Sequence, residues 1–369
     1  MASITTSTDN IPFPHSAAGH DGISTDSTGS VIIKPCTQAE IDFYESARSH
    51  PDLMSHMPTY IGSLTPGVNS AAQQVLADAN TTASTAVEQR RNEDWKPSGG
   101  AKLDSGYAVV LSNATAGFEH PNVLDLKLGA RLWDDDAPKA KRQKLDEVAN
   151  SSTSSSLGFR VAGMKVWLGD EAAATSSAGK DAIRGPDATE PTTLEANTKI
   201  EGGYKIFDKY YGRTNIQTKN INEAFEEFLK STDLPSKAST NSGTARKSVI
   251  LQRLRSEVQS IQSVLEKTES RMYSASVLMV YEGDPNALDK ALTLEQTRMT
   301  NEQVEHEDSG DDTDDDEEES HKVHEVVLID FAHAHWTPGQ GPDENVLQGL
   351  SNISKILSEM ETQPPLGRT

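Results

Sequence analysis

The stretch Pro121-Asn122-Val123-Leu124-Asp125-Leu126-Lys127-Leu128-Gly129 alternates apolar and polar side chains along its second half. Successive side chains of a β-strand point to opposite faces. Leu124, Leu126 and Leu128 therefore enter one face, and Asp125 and Lys127 stand together on the other. The pattern reads as a strand at the buried edge of a core. Two readings of the polar pair stay open at this level: an ion pair satisfied beside the core, or a site where a cation and a phosphate meet.

Upstream of this stretch, residues 107–111 (YAVVL) predict a strand and residues 112–120 its connection to Pro121. Val31 to Lys34 reads as a short strand stopped by Pro35. Residues 38–48 read as a helix with Ile41, Tyr44 and Ala47 on one stripe. Downstream, residues 136–149 predict a basic helix carrying Lys139, Lys141, Arg142 and Lys144. Residues 157–168 predict a strand with glycine interruptions, 204–212 a strand-like aromatic segment, and 220–230 a short helix. Residues 245–269 predict the longest helix, 272–282 a strand, 326–333 a near-continuous apolar strand containing Asp330, and 343–361 a final helix.

The chain has 369 residues, enough for one large or two modest domains. Its hydrophobic content of 35% is below the usual globular share. A folded core interrupted by long polar insertions follows from this. The predicted layout is a disordered N-terminus at 1–17, a small lobe at 18–114 with a polar insertion at 67–100, and a large lobe at 115–361. Residues 170–200 read as a loose loop and 284–324 as an acidic disordered insertion, its charge concentrated in Asp308 to Glu319. The net charge of −22 argues against direct nucleic-acid binding or general affinity for an anionic membrane. One cysteine, Cys36, excludes a disulfide framework and fits a reducing compartment. No run of 18 apolar residues predicts a membrane span. Residues 1–15 lack the basic start and apolar core of a secretory signal.

Three features carry chemistry. Asp125 and Lys127 share a strand face. Asp330 sits where an apolar strand runs out, as a metal ligand or as the cap of a turn. A cationic helix follows the Asp125/Lys127 strand, as a solvated face, a nuclear-import signal or an anion site. Together they suggest phosphoryl transfer, which needs Mg²⁺ between phosphates, lysines on the phosphate oxygens and an acceptor held in line. No GxxxxGK[ST], no GxGxxG opening a helix, and no HRD or DFG is present. This excludes a P-loop enzyme and an ordinary protein kinase.

The segment Pro121-x-x-x-Asp125-x-Lys127-x-Gly129 resembles the PxxxDxKxG signature of the inositol polyphosphate kinases. Residues 157–166 (LGFRVAGMKV) resemble the family's LGFRxxGM segment, and 329–333 (IDFAH) its IDFAH segment. Residues 341–350 resemble its GPDxN…GL tail, and Ala18 to Gly22 the AGHDG opening of fungal members. The matches run in family order from about residue 18 to 360. Two departures stand out: Ala275-Ser276-Val277-Leu278 replaces the family's SSLL, and Ala140 replaces the glutamate that usually precedes the substrate lysine.

The resemblance implies an α+β, two-lobed inositol polyphosphate kinase fold, distantly protein-kinase-like, with ATP between the lobes. It implies that Lys34 meets the ATP phosphates, that Ser112 to Ala114 form the hinge meeting adenine through backbone groups, and that Asp125 contacts the ribose. Lys127 would sit at the transferred phosphate, and Asp330 would hold Mg²⁺. Lys141, Arg142, Lys144, Lys165 and His333 would bind the inositol phosphate, whose charges call for lysine and arginine. The strand at 121–129 then divides the ATP side from the inositol side of one cleft.

Within the family, Phe159 in LGFR, the compact substrate region and the lack of a calmodulin-type basic helix near the N-terminus favour a tris/tetrakisphosphate multikinase. A hexakisphosphate kinase making pyrophosphates is the alternative. A reading of another class is a non-catalytic scaffold whose acidic run docks basic proteins. The family implies a monomer located in nucleus and cytoplasm.

Overall fold

The computed structural model describes residues 11–15, 22–65, 105–178, 196–237, 243–305 and 321–362. The predicted insertion at 67–100, the Ala18-Gly19-His20-Asp21 part of the opening motif and the acidic run 308–319 lie outside the described residues.

Two antiparallel sheets organise the fold. The first has the order β1-β2-β3-β5-β4, from β1 (Ile11–Pro12), β2 (Ser24–Thr25), β3 (Val31–Pro35), β4 (Tyr60–Leu64) and β5 (Ala108–Ser112). The second has the order β12-β11-β6-β7-β9-β8. Its strands are β6 (Pro121–Leu128), β7 (Phe159–Trp167), β8 (Thr198–Glu201), β9 (Tyr204–Phe207), β11 (Ser276–Glu282) and β12 (His324–Ile329). A small ribbon pairs β10 (Ser270–Met272) with β13 (Ala334–Trp336).

The 121–129 stretch is not an edge. β6 pairs with β11 on one side and β7 on the other, so both of its backbone edges are used. Its alternation is as read. Leu124, Leu126 and Leu128 are fully buried in the main core, while Val123 packs on the opposite face with Val280. That core is closed by α5 (Gly243–Leu265) and α7 (Glu344–Thr362), defined after α1 (Gln38–Ser46), α2 (Lys139–Asn150), α3 (Asp170–Ala178), α4 (Ile221–Phe228) and α6 (Pro285–Glu305). Ile250, Leu254, Val258 and Ile261 of α5, and Val346, Leu350, Ile353 and Leu357 of α7, recur at helical spacing and are buried.

Several expectations are corrected. Residues 11–15 are not disordered: β1 pairs with β2 through Ile11↔Thr25 and Pro12↔Ser24. Residues 170–178 form a helix instead of a loose loop, and 198–201 a strand. The span 284–324 is not wholly a disordered insertion. Its first part is α6, where Ala287, Leu288, Ala291 and Leu292 bury one stripe and Asp289 meets Arg246 at 3.1 Å in the interior. The charge of the run that follows masked this apolar spacing. The 204–212 strand stops at Phe207, and the strand at 326–333 ends at Ile329, where Asp330 turns into the left-handed region (φ 69°).

The signature segments meet in one knot. Gly129 (φ 95°) donates its N–H to Gly158 O at 2.7 Å, and a Cβ on it would lie 2.5 Å from Asn345 Nδ2. Asn345 Oδ1 accepts from the N–H groups of Ala130 and Arg131, each at 2.8 Å. Gly349 presses on the same place, since a Cβ there would stand 2.3 Å from Gly158 O. Backbone cannot retreat as a flexible side chain can, so Gly349→Ala is expected to cost about 2–4 kcal/mol. A thermal unfolding midpoint several degrees below wild type is the expected reading, and an unchanged midpoint would refute the packing described.

Candidate active site

β3 carries Lys34 and β6 carries Lys127, and the turn after β12 carries Asp330. The fold brings all three together. Lys34 Nζ donates to Asp330 Oδ1 at 2.8 Å, and Lys127 Nζ donates to Asp330 Oδ2 at 3.0 Å. Lys34 Nζ also donates to Glu40 Oε1 at 2.7 Å, and Lys127 Nζ to Ser274 O at 2.9 Å. Charges thus alternate along Glu40, Lys34, Asp330 and Lys127. Burial disfavours the ionised Asp330 carboxyl, but the Lys34 and Lys127 ammonium groups outweigh it and hold its pKa far below the usual carboxylate range. Burial likewise works against the Lys34 charge, and Asp330, then Glu40, reverse this and raise its pKa.

Glu40 was missed in the sequence. Thr37 caps α1 by accepting from Glu40 N at 3.3 Å, so the T-x-x-E spacing reads as a capping box. The Glu40 carboxylate goes to Lys34 instead. A strand lysine paired with a helix glutamate is the arrangement protein kinases use to set a lysine against nucleotide phosphates.

Beside this cluster a cleft, part of it open to solvent, runs between the two sheets. Ile32, Leu111, Val123 and Leu278 give it apolar walls, and Lys34, Asp125 and Asp330 stand at one end. Its apolar lining with a few polar groups suits a heteroaromatic ligand. Ser112 and Ala114 line it. The Ser112 hydroxyl is already engaged, accepting from Thr59 N at 2.8 Å, while the Ala114 backbone N–H and C=O have no partner among the described residues. Asp125 is buried on the cleft, and its Oδ1 has no hydrogen-bond partner among the described residues. Burial pushes its carboxyl up to about 6, against the pull of Lys127.

Past Lys127 the site turns cationic. Lys141 Nζ stands 3.0 Å from His333 Nε2, and His333 Nδ1 is 2.6 Å from Asp134 Oδ2. Burial, then Lys141, lowers the His333 pKa against Asp134. The neutral ring therefore donates Nδ1–H to Asp134 and accepts from Lys141 at Nε2. Arg160 of β7 pairs with Lys127 across the ladder, so the two share a face. Arg160 is 5% exposed, and its one side-chain hydrogen bond among the described residues is from Nη1 to Ser154 Oγ at 3.1 Å. Burial, then Arg213, lowers its pKa to about 10. The LGFR segment holds Arg160 in a strand of buried residues, and a buried arginine is itself a signal of function.

Three predicted substrate residues have other partners in this structure. Arg142 donates to Ala137 O at 2.7 Å and to Asp135 O, and lies over the Trp133 ring, so it holds the loop before α2. Lys144 pairs with Glu147 on the exposed side of α2. Lys165 lies opposite Val123, two pairs beyond Asp125 and away from Lys127, and its Nζ donates to Pro14 O at 2.7 Å. The phase of α2 explains Lys144. Leu145, Val148 and Ala149 pack on Leu132, and Lys141 shares that stripe whereas Lys144 does not. Arg142 borders the same stripe and is turned aside by its bonds to Ala137 O and Asp135 O.

Among the described residues no group of three His, Cys, Asp or Glu side chains could hold a metal ion alone. A carboxylate kept ionised between two lysines suits a cation that takes its remaining ligands from nucleotide phosphates, a set that hard divalent ions accept.

Residues 108–358 match the family described as inositol polyphosphate kinase. The chain belongs to the inositol polyphosphate kinase family. It is 30% identical to the inositol polyphosphate multikinase of Saccharomyces cerevisiae, over 93% of this chain and 96% of that protein. It is 25% identical to the multikinase of Schizosaccharomyces pombe, over 92% of this chain and 94% of that one. Mouse inositol hexakisphosphate kinase 3 is 26% identical over 69% of this chain and 50% of its own length. The crystal structure of the S. cerevisiae multikinase in complex with ADP and Mn²⁺ superposes with a TM-score of 0.58 at 27% identity, covering 90% of this chain and 99% of that one.

Proposed function

We propose that this chain transfers the γ-phosphate of ATP to hydroxyls of inositol tris- and tetrakisphosphates. The observation that carries the reading is the Glu40–Lys34–Asp330–Lys127 chain, which stands between an apolar cleft and further cationic side chains, Lys141 and Arg160. The ADP held by the superposing multikinase and the near full-length likeness to two fungal multikinases support it.

The chain's residues divide the work. Ala114 offers its backbone N–H and C=O to the adenine edge, and Asp125 Oδ1 accepts a ribose hydroxyl. Lys34, steadied by Glu40, holds phosphate oxygens. Lys127 shifts between Asp330 and the phosphoryl group in transit, neutralising charge as the leaving oxygen departs. Asp330 would hold a divalent cation, Mg²⁺ in the cell, which when bound screens the phosphates from one another. Lys141 and Arg160 supply counter-charge to the acceptor's phosphates, and His333, fixed by Asp134, holds the Lys141 ammonium through Nε2. Action as a monomer, in nucleus and cytoplasm, belongs to the same reading.

Product chromatography with inositol trisphosphate and hexakisphosphate offered in parallel tests it. Conversion of the trisphosphate to higher esters, with the hexakisphosphate left intact, is expected. Pyrophosphate formation from the hexakisphosphate would support the alternative kinase, and no product from either would sink the proposal. Asp125 gives a finer check. Asp125→Asn removes a charge-assisted acceptor and is expected to raise the KM for ATP roughly tenfold, leaving the acceptor KM within about twofold. Steady-state kinetics in both substrates read the split.

A further inference from the structure

The segment Ile11–His15 bridges the two sheets across the mouth of the cleft. At one end β1 pairs with β2, and Phe13 N donates to Ile23 O at 3.2 Å. At the other, Lys165 of β7 donates from Nζ to Pro14 O at 2.7 Å and stands 3.3 Å from His15 Nδ1. The His15 ring is edge-on to Tyr204 of β9 at 6.1 Å, and Lys165 Nζ sits 4.0 Å from the centre of the same ring. Phe13 and His15, each partly buried, line the cleft together with Ile32, Leu111 and Val123.

No carboxylate among the described residues comes within ion-pair distance of Lys165 Nζ, and Glu201 acts on its charge from farther off. Its partners are a carbonyl, an imidazole and an aromatic face, the last a cation–π contact. Burial lowers its pKa to about 8. A lysine pulled from water to grip a backbone carbonyl is spent on placing that backbone. The backbone it places brings an aromatic ring and an imidazole to the apolar end of the cleft, away from Lys127.

We propose that Phe13 and His15 form a wall of the nucleotide site facing the heteroaromatic base, and that Lys165 is the positioning residue that holds this wall in place. Lys165 then acts on nucleotide affinity and not on the inositol phosphate. The assignment rests on the nucleotide reading of the cleft given above.

The test uses the full chain, with ADP affinity by calorimetry and KM for ATP and for inositol trisphosphate. Lys165→Met keeps the aliphatic stem and removes the donors. It is expected to weaken ADP binding and raise the ATP KM roughly tenfold, the equivalent of about 1.4 kcal/mol. The acceptor KM and kcat at saturation stay within about twofold. Phe13→Ala moves the same quantities in the same direction, and Lys165→Arg recovers part of the loss. The double variant is no weaker than the worse single one, because both act through one wall. Phe13 lies outside both sheet cores, so its variant keeps the test open if Lys165→Met does not fold. A raised acceptor KM with unchanged ADP affinity would overturn the proposal and return Lys165 to the inositol phosphate site. Unchanged ADP affinity in both variants would overturn it as well. A wild-type protein that binds ADP yet phosphorylates no inositol phosphate would refute the kinase reading, and the ADP measurements would still decide the wall.

Discussion

Asp330→Asn is expected to keep its fold and lose phosphate transfer, with kcat falling roughly 10³-fold or more. Asparagine is the informative replacement because Asp330 sits at φ 69°, where Asn and Asp are tolerated and most side chains are strained. Alanine there would mix backbone strain with lost chemistry. The substitution removes the single negative charge lying between Lys34 at 2.8 Å and Lys127 at 3.0 Å. Both lysines lose the carboxylate that orients them, and the site loses its one candidate carboxylate for a divalent cation. The two ammonium groups keep other acceptors, Glu40 and Ser274 O, so they need not leave the site. Turnover at saturating substrates, with the unfolding midpoint of the same preparation, separates chemistry from stability.

Lys127→Met is expected to lower kcat roughly 10²- to 10³-fold with ADP affinity changed much less. Methionine approximates the lysine stem, so packing within β6 is preserved and only the ammonium goes. Lys127 is the last polar residue of its strand, with Asp125 on the cleft side and the cross-strand Arg160 beside it. A cation at that position meets a phosphoryl group only while it is in transit, so its loss falls on kcat. Lys34, on the nucleotide side, still holds the phosphates. Comparable losses in ADP affinity and kcat would place Lys127 in ground-state nucleotide binding instead.

These residues differ in how far the sequence exposed them. Asp125 and Lys127 were legible because strand alternation is local, and Asp330 because an apolar run stops at it. Their meeting was not legible by periodicity: Lys34 and Asp330 are 296 positions apart, and only the family-like segments tied them together. Glu40 was hidden behind a capping pattern that its neighbour Thr37 does satisfy. On α2 four cations crowd six positions, and composition alone cannot choose among them. The apolar stripe of Leu145 and Val148 would have selected Lys141, had helix phase been weighed. A motif carries residue identity but not strand register, so the position of Lys165 along the sheet was not legible. Register sets Lys165 against Val123, which lines the apolar cleft. The pairing of residues 11–12 with β2 had no signal to read, since two exposed residues show no period.

The central claim is that phosphate passes from nucleotide to inositol at the Lys34–Asp330–Lys127 cluster. Label transfer from γ-labelled ATP to inositol trisphosphate tests it most directly, run for wild type, Asp330→Asn and Lys127→Met, with ADP binding measured on the same preparations. The account predicts labelled inositol esters from wild type, and near-background transfer from both variants while Lys127→Met still binds ADP. Transfer within about twofold of wild type by either folded variant would contradict it.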